Sequence, residues 1–163
     1  MGRALPGTGK HGTVALFVPH AGCPHRCSFC DQRAIAGTGE RLTPDKVEAA
    51  CLQAESRITL PGRQAELAFF GGSFTALPKK EMCALLDAAL PFVRRGVFRG
   101  IRLSTRPDCV DEGILAALAG RSVTAVELGA QSMDDAVLVQ NGRGHTAADV
   151  ERAAGLIRAR GLS

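Results

Sequence analysis

The chain has no tryptophan and no tyrosine, and its only aromatic residues are seven phenylalanines. Stacking platforms for single-stranded nucleic acid would have to be built from phenylalanine alone. No apolar run approaches the length that crosses a bilayer, so no membrane partner is expected. The opening "MGRALPGTGKHG" lacks the apolar stretch of a secretory signal, and Pro6 stands where a myristoylation pattern needs serine or threonine. Low-complexity tracts and dense Lys/Arg runs are missing too. The net charge is only +4, and "PFVRRGVFRGIR" reads equally as a polyanion contact or a solvated face. These absences leave a globular, cytoplasmic protein as the expectation.

Cysteine is what the sequence does have. In a reducing compartment six cysteines point to metal binding or catalysis more than to disulfides. Three fall within "GCPHRCSFCDQ" (22–32), at Cys23, Cys27 and Cys30. A thiolate triad in a short loop suits a metal ion or an iron–sulfur cluster. One reading is a zinc-stabilised binding module in which His20 or His25 completes a Cys3His tetrahedron. Zinc modules, however, usually present two separated ligand pairs, and no second pair is available. Cys51 and Cys83 fall on predicted helices, where a small apolar core residue is the ordinary role. Cys109 is read the same way, although its position after "TRPD" brings it nearer the site.

Residues 1–12 read as a flexible lead-in. "TVALFV" (13–18) is an apolar, partly β-branched run that suits a strand buried on both faces. A helix is expected from "TPDKVEAACLQAESRI", with Thr43 as N-cap and Pro44 at the first helical position. The alternation repeats through strands at "AELAFF" (65–70), "GIRLST" (100–105) and "SVTAVELG" (122–129). Helices are expected at "PKKEMCALLDAALPFV", "DEGILAALAG", "MDDAVLV" and "TAADVERAAGLIRAR", the last with a stripe of Val150, Ala153, Ala154 and Ile157. Four strand–helix units in series predict an α/β fold with a parallel sheet and outer helices, the chemistry lying beyond the carboxyl ends of the strands. The cysteine loop, "GGSFT", "TRPD" and "GAQS" fall at those four ends.

"CPHRCSFC", a C-x3-C-x2-C string with Phe29 just before its last cysteine, resembles the signature of the radical S-adenosylmethionine (SAM) superfamily. The resemblance implies that Cys23, Cys27 and Cys30 bind three irons of a [4Fe-4S] cluster. S-adenosyl-L-methionine would chelate the fourth iron, and an electron donor would drive its cleavage to a 5′-deoxyadenosyl radical. It also implies that the turn of Gly71, Gly72 and Ser73 holds the methionyl amino group. "VELGAQSMDDAVLVQNGRGHT" (126–146) is similar to segments of oxygen-independent coproporphyrinogen oxidases and of the catalytic subunit of Elongator with its bacterial relatives. By that likeness Gln131 contacts the cofactor ribose and Arg143 pairs with the methionyl carboxylate. By residue type alone, Gln131 could instead cap the next helix, and Arg143 could be an exposed cation. His145, in "GRGHT", is a further candidate with no assigned role.

Two positions depart from the oxidase pattern: Ser104 replaces a ribose-binding glutamate, and Phe17 replaces tyrosine. The nearest likeness is to short bacterial Elongator-like proteins, which implies action on a tRNA wobble uridine; the alternative is a porphyrin substrate. The positive charge suits RNA and an acidic porphyrin alike. The resemblance spans about residues 13–162. It implies the N-terminal part of a (β/α)6 core, a partial barrel over 13–163 whose last units come from a missing C-terminal segment or a partner. "ALPGTGKH" is dismissed as a P-loop, because Ala4 and His11 break the motif and it precedes a strand.

Overall fold

The architecture follows from four short runs that are apolar toward one side. The computed structural model describes residues 11–19, 23, 27–30, 40–58 and 64–163. The strands are β1 (His11–Val18), β2 (Gln64–Gly71), β3 (Phe98–Thr105) and β4 (Val123–Leu128). They form one sheet in the order β1-β2-β3-β4, every neighbouring pair parallel. A strictly sequential order requires each crossover to return on the same side, so the helices collect on one face and the sheet curves into a barrel wall. This is the expected partial (β/α) barrel of four parallel units. The lead-in of residues 1–12 lies outside the described residues through residue 10, and β1 begins two residues before the predicted strand.

The helices are α1 (Pro44–Ile58), α2 (Lys79–Arg94), α3 (Glu112–Leu118), α4 (Asp135–Gln140) and α5 (Ala147–Ala159). Their starts are chemically specified. Asp111 caps α3 by accepting from the Ile114 amide at 2.7 Å, and Asp134 caps α4 through the Ala136 and Val137 amides. Thr146 and Asp149 form a reciprocal capping box on α5. None of the helices among the described residues is long and apolar enough to cross a membrane.

The core lies between the sheet and this helical layer. Leu67, Phe69, Ile101 and Leu103 point outward from β2 and β3 and meet Val47 and Cys51 of α1 and Met82, Leu85 and Leu86 of α2. Phe74, in the turn after β2, packs its ring 4.7 Å from that of Phe69. Of the stripe on α5, Ala153 and Ile157 are buried while Val150 and Ala154 are half-buried.

One expectation needs correction. β1 is not buried on both faces: Leu16 and Val18 enter the core, whereas Thr13, Ala15 and Phe17 face an open cavity. A continuous apolar run cannot distinguish a strand covered on both sides from one whose second side lines a pocket. The C-terminal Ser163 lies beside β4, its amide donating to Thr124 and its carbonyl accepting from Val126.

Candidate functional site

The inner face of the sheet and the loops at its carboxyl end enclose a cavity of about 810 Å³. Every residue named for the cluster or the cofactor lines it: Cys23, Cys27, Phe29 and Cys30 from the first loop; Gly71, Gly72 and Ser73 from the second; and Ser104, Gln131 and Arg143 beyond them. These residues are far apart in sequence. Parallel strands bring them together because all four end on the same edge.

The turn after β2 is built on a glycine for steric reasons. Gly71 has φ of 108°, and a Cβ there would lie 2.5 Å from the Phe17 ring and 2.9 Å from the Val18 carbonyl. The Gly72 amide donates to that carbonyl at 2.9 Å. Ser73 then becomes a junction. Its amide donates to Cys23 Sγ at 3.3 Å, its hydroxyl lies 2.8 Å from Thr105 Oγ1, and the Arg106 amide donates to it at 3.2 Å. The Cys109 thiol also hydrogen-bonds Ser73, so Cys109 sits beside the site; burial pushes its pKa up.

Cys27 is the thiol most exposed to positive charge. Arg143 Nη1 lies 3.0 Å from its sulfur and Arg106 Nη1 lies 3.9 Å away. The loop carrying it is tied to the residue after α4: the Ser28 amide donates to the Asn141 carbonyl at 3.1 Å, and the Ser28 hydroxyl donates to Asn141 Oδ1 at 2.6 Å. Phe29 is 56% exposed at the cavity mouth, with the Arg143 guanidinium 5.7 Å from its ring centre. Burial pushes the Cys23 thiol up, against the Ser73 amide and the Arg106 charge that pull it down.

The donor set fits an iron–sulfur cluster. Cys23, Cys27 and Cys30 all line one cavity, where a four-iron cluster would take one thiolate per iron, whereas a closed zinc site needs a fourth protein ligand. His20 and His25, the fourth ligands of the zinc reading, lie outside the described residues. Arg143 Nε is buried with no hydrogen-bond partner among the described residues, an unspent donor beside the cavity.

Sequence reasoning passed over Arg106. It is 5% exposed, holds Asp108 through Nε and Nη2 at 2.9 and 3.2 Å, and donates to the Arg143 carbonyl. The signal was a cation immediately after a strand, in "TRPD". A charge lattice on the inner face was also passed over. Arg102 of β3 bridges Glu66 of β2 at 2.7 Å and Glu127 of β4 at 2.9 Å, while Arg99 also reaches Glu66 at 3.0 Å. Ser104 donates to Glu127 at 3.0 Å. The two guanidinium groups hold the Glu66 carboxyl below its ordinary value.

His145 does not line the cavity. It is buried behind it, with Nε2 at 3.2 Å from the Ala130 carbonyl. Cys51 is a core residue, its thiol raised to about 11 by burial, and the half-buried Cys83 packs against the same core.

Known proteins resemble this chain in sequence and in fold. The chain is 32% identical over 143 residues to radical S-adenosyl methionine domain-containing protein 1, mitochondrial, from Mus musculus, covering 85% of this chain and 32% of that protein. It is 25% identical over 181 residues to the tRNA uridine(34) acetyltransferase of Dehalococcoides mccartyi, covering 91% and 39%. The solved structure of the archaeal Methanocaldococcus infernus Elp3 superposes with a TM-score of 0.65 at 22% identity, over 94% of this chain and 36% of that one. The chain thus spans a third or slightly more of the length of these relatives. The family model for the radical SAM superfamily matches residues 17–163, from the inward-facing Phe17 through all four strand ends, and the chain belongs to that superfamily of enzymes.

Proposed function

We propose that this chain is the cluster- and cofactor-binding part of a radical SAM enzyme acting on a tRNA wobble uridine, with Cys23, Cys27 and Cys30 as the ligands of a [4Fe-4S] cluster. The observation that carries the reading is one cavity lined by all three thiols, the Gly71–Ser73 turn, Gln131 and Arg143. A cluster held by Cys23, Cys27 and Cys30 would supply the one-electron reduction that cleaves S-adenosyl-L-methionine, with the electron coming from an external donor.

The chain's own residues prepare that event. The Ser73 amide points a donor at the Cys23 sulfur, and the Arg143 and Arg106 guanidiniums stand beside Cys27, so the sulfurs that would ligate iron face hydrogen-bond donors and positive charge. Arg143 is suited to the methionyl carboxylate, since it lines the cavity and a planar guanidinium offers charge-assisted, bidentate bonds. The left-handed Gly71 keeps the second turn free of a side chain, so the backbone can approach the methionyl amino group closely. Gln131 and Ser104 line the part of the cavity assigned to the ribose, and Phe29 covers its mouth. Ser104 is already hydrogen-bonded to Glu127, so the ribose contact in this reading passes through that pair.

A uridine base is favoured over a porphyrin by the state of the cations. Among the described residues, the cavity guanidiniums of Arg102 and Arg106 are each engaged by carboxylates, while Arg143, held only by a thiol and a carbonyl, is the one assigned to the methionyl carboxylate. A substrate with several carboxylates would have to break such pairs, whereas a neutral base would not. The D. mccartyi relative supplies the substrate class. In this reading a partner or a further segment completes the barrel, and the setting is cytoplasmic.

Anaerobic reconstitution with iron and sulfide tests the proposal. The expected result is a brown protein with about four irons per chain, whose spectrum changes on adding S-adenosylmethionine. A colourless protein that retains one zinc would overturn it.

A further inference from the structure

The segment after α4, Asn141-Gly142-Arg143-Gly144-His145, alternates two left-handed glycines with two buried side chains. Gly142 has φ of 61° and Gly144 has φ of 68°, while Arg143 and His145 are 6% and 5% exposed. Only glycine enters that conformation without steric cost, and the alternation sends both side chains toward the same neighbour. That neighbour is the loop following β4. Arg143 Nη2 donates to the Gly129 carbonyl, and His145 Nε2 meets the next carbonyl, Ala130, at 3.2 Å. Two side chains of one segment thus take two consecutive carbonyls of another.

The residue those carbonyls lead into is unusual. Gln131 has φ of 67°, one of two non-glycine residues with positive φ among the described residues. A side chain in that region is strained and persists only where its surroundings over-determine it. The surroundings here are the two captured carbonyls, together with the Gly129 amide bonded to Thr105 at 2.8 Å and the Ala130 amide bonded to Leu128 at 2.9 Å.

The proton on His145 is assigned by its partner. A carbonyl cannot donate, so Nε2 carries the hydrogen. Nδ1 is left without a hydrogen-bond partner, 3.9 Å from Asp108 Oδ1. Burial lowers the imidazole pKa, so the ring is a neutral donor. The segment is itself held from the β3 side, where Arg106 grips Asp108 and donates to the Arg143 carbonyl.

We propose that His145 is a positioning residue: with Arg143 it forms a two-point clamp on the Gly129–Ala130 carbonyls that holds Gln131 in its left-handed conformation at the cavity. The clamp stands on geometry alone, and its use in orienting a cofactor rests on the function proposed above.

Hydrogen exchange on the 163-residue chain without cluster or cofactor tests it, so failed reconstitution would sink the proposed function and leave this test intact. In His145→Ala, exchange at the Gly129 and Ala130 amides should accelerate roughly tenfold, about what losing one buried hydrogen bond allows. Amides of β2 and β3 should keep their protection. His145→Gln, which offers a neutral N–H donor, should recover most of the lost protection. Gln131→Gly removes the backbone strain, so adding His145→Ala to it should accelerate exchange less than His145→Ala does alone. Uniform acceleration across the sheet, or no rescue by a folded His145→Gln, would show that His145 only fills space. If His145→Ala does not fold, the Gln131→Gly/His145→Ala double variant should; an equally unfolded double variant overturns the clamp.

Discussion

The two faces of the same sheet obey different rules. On the outer face Leu67, Phe69, Ile101 and Leu103 have no exposure and differ only in shape. On the inner face Glu66, Arg102, Ser104 and Glu127 form a lattice in which each partner is defined by charge and direction. One side contributes cohesion through apolar area, which is additive and tolerant of substitution at constant volume. The other contributes placement, and each of its groups needs a named partner. The loops at the strand ends belong with the inner face: the Cys23 and Cys27 thiols, Ser73, Arg106 and Arg143 form one connected set of polar contacts. Cluster binding should therefore depend on the inner face and its loops, and the larger share of stability on the outer face.

The largest effect expected is all-or-none. Cys27→Ala should abolish the reconstituted cluster, read as iron and sulfide content and visible absorbance, while Cys51→Ala should keep it. Equal loss in both would erase the distinction between site thiols and core thiols. Next in size is Phe69→Ala on the outer face. It should cost about 3–5 kcal/mol in denaturant unfolding, the usual range for a fully buried phenylalanine, and should leave the amount of bound iron per folded chain unchanged.

Glu66→Gln on the inner face should cost less, about 1–2 kcal/mol, because its arginine partners remain partly exposed and solvent screens the loss. The Glu66 pKa is depressed in the folded chain, so its contribution is present above the ordinary carboxylate range and disappears as the pH falls through the lowered value. Acid titration of stability should therefore be flatter in Glu66→Gln. The smallest effect lies on neither face. Asp149, in the capping box of α5, is lowered from 3.8 to about 2 by the Thr146 amide first and then by Arg152 and the Thr146 hydroxyl. Asp149→Asn should lose under 1 kcal/mol at neutral pH and remove the part of acid destabilisation between about pH 4 and pH 2. Thermal melts across that range measure it.

How much was legible follows the same division. Helix starts were readable because caps are local: Thr43 before Pro44, and Thr146 before α5, declare themselves within four residues. Strand ends were readable as places because apolar runs stop at glycine and at polar clusters. The cysteine spacing pointed to a metal or cluster because three thiols in one loop have few other uses. The second face of β1 was not readable, since exposure to a cavity leaves an apolar run unchanged. Arg106 was also missed, because a cation after a strand looks the same in sequence whether it meets water or is buried against Asp108 and Cys27.

The order of the elements, the starts of the helices and the crowding of thiols into one loop were determined by the sequence alone, because each depends on neighbours only a few residues away. Which carboxylate meets Arg102, which carbonyl meets His145, and which sulfur stands beside two guanidiniums were decided by the tertiary structure. Those pairings join residues between 15 and 116 positions apart, and only the curvature of a parallel sheet brings its four strand ends to a common rim.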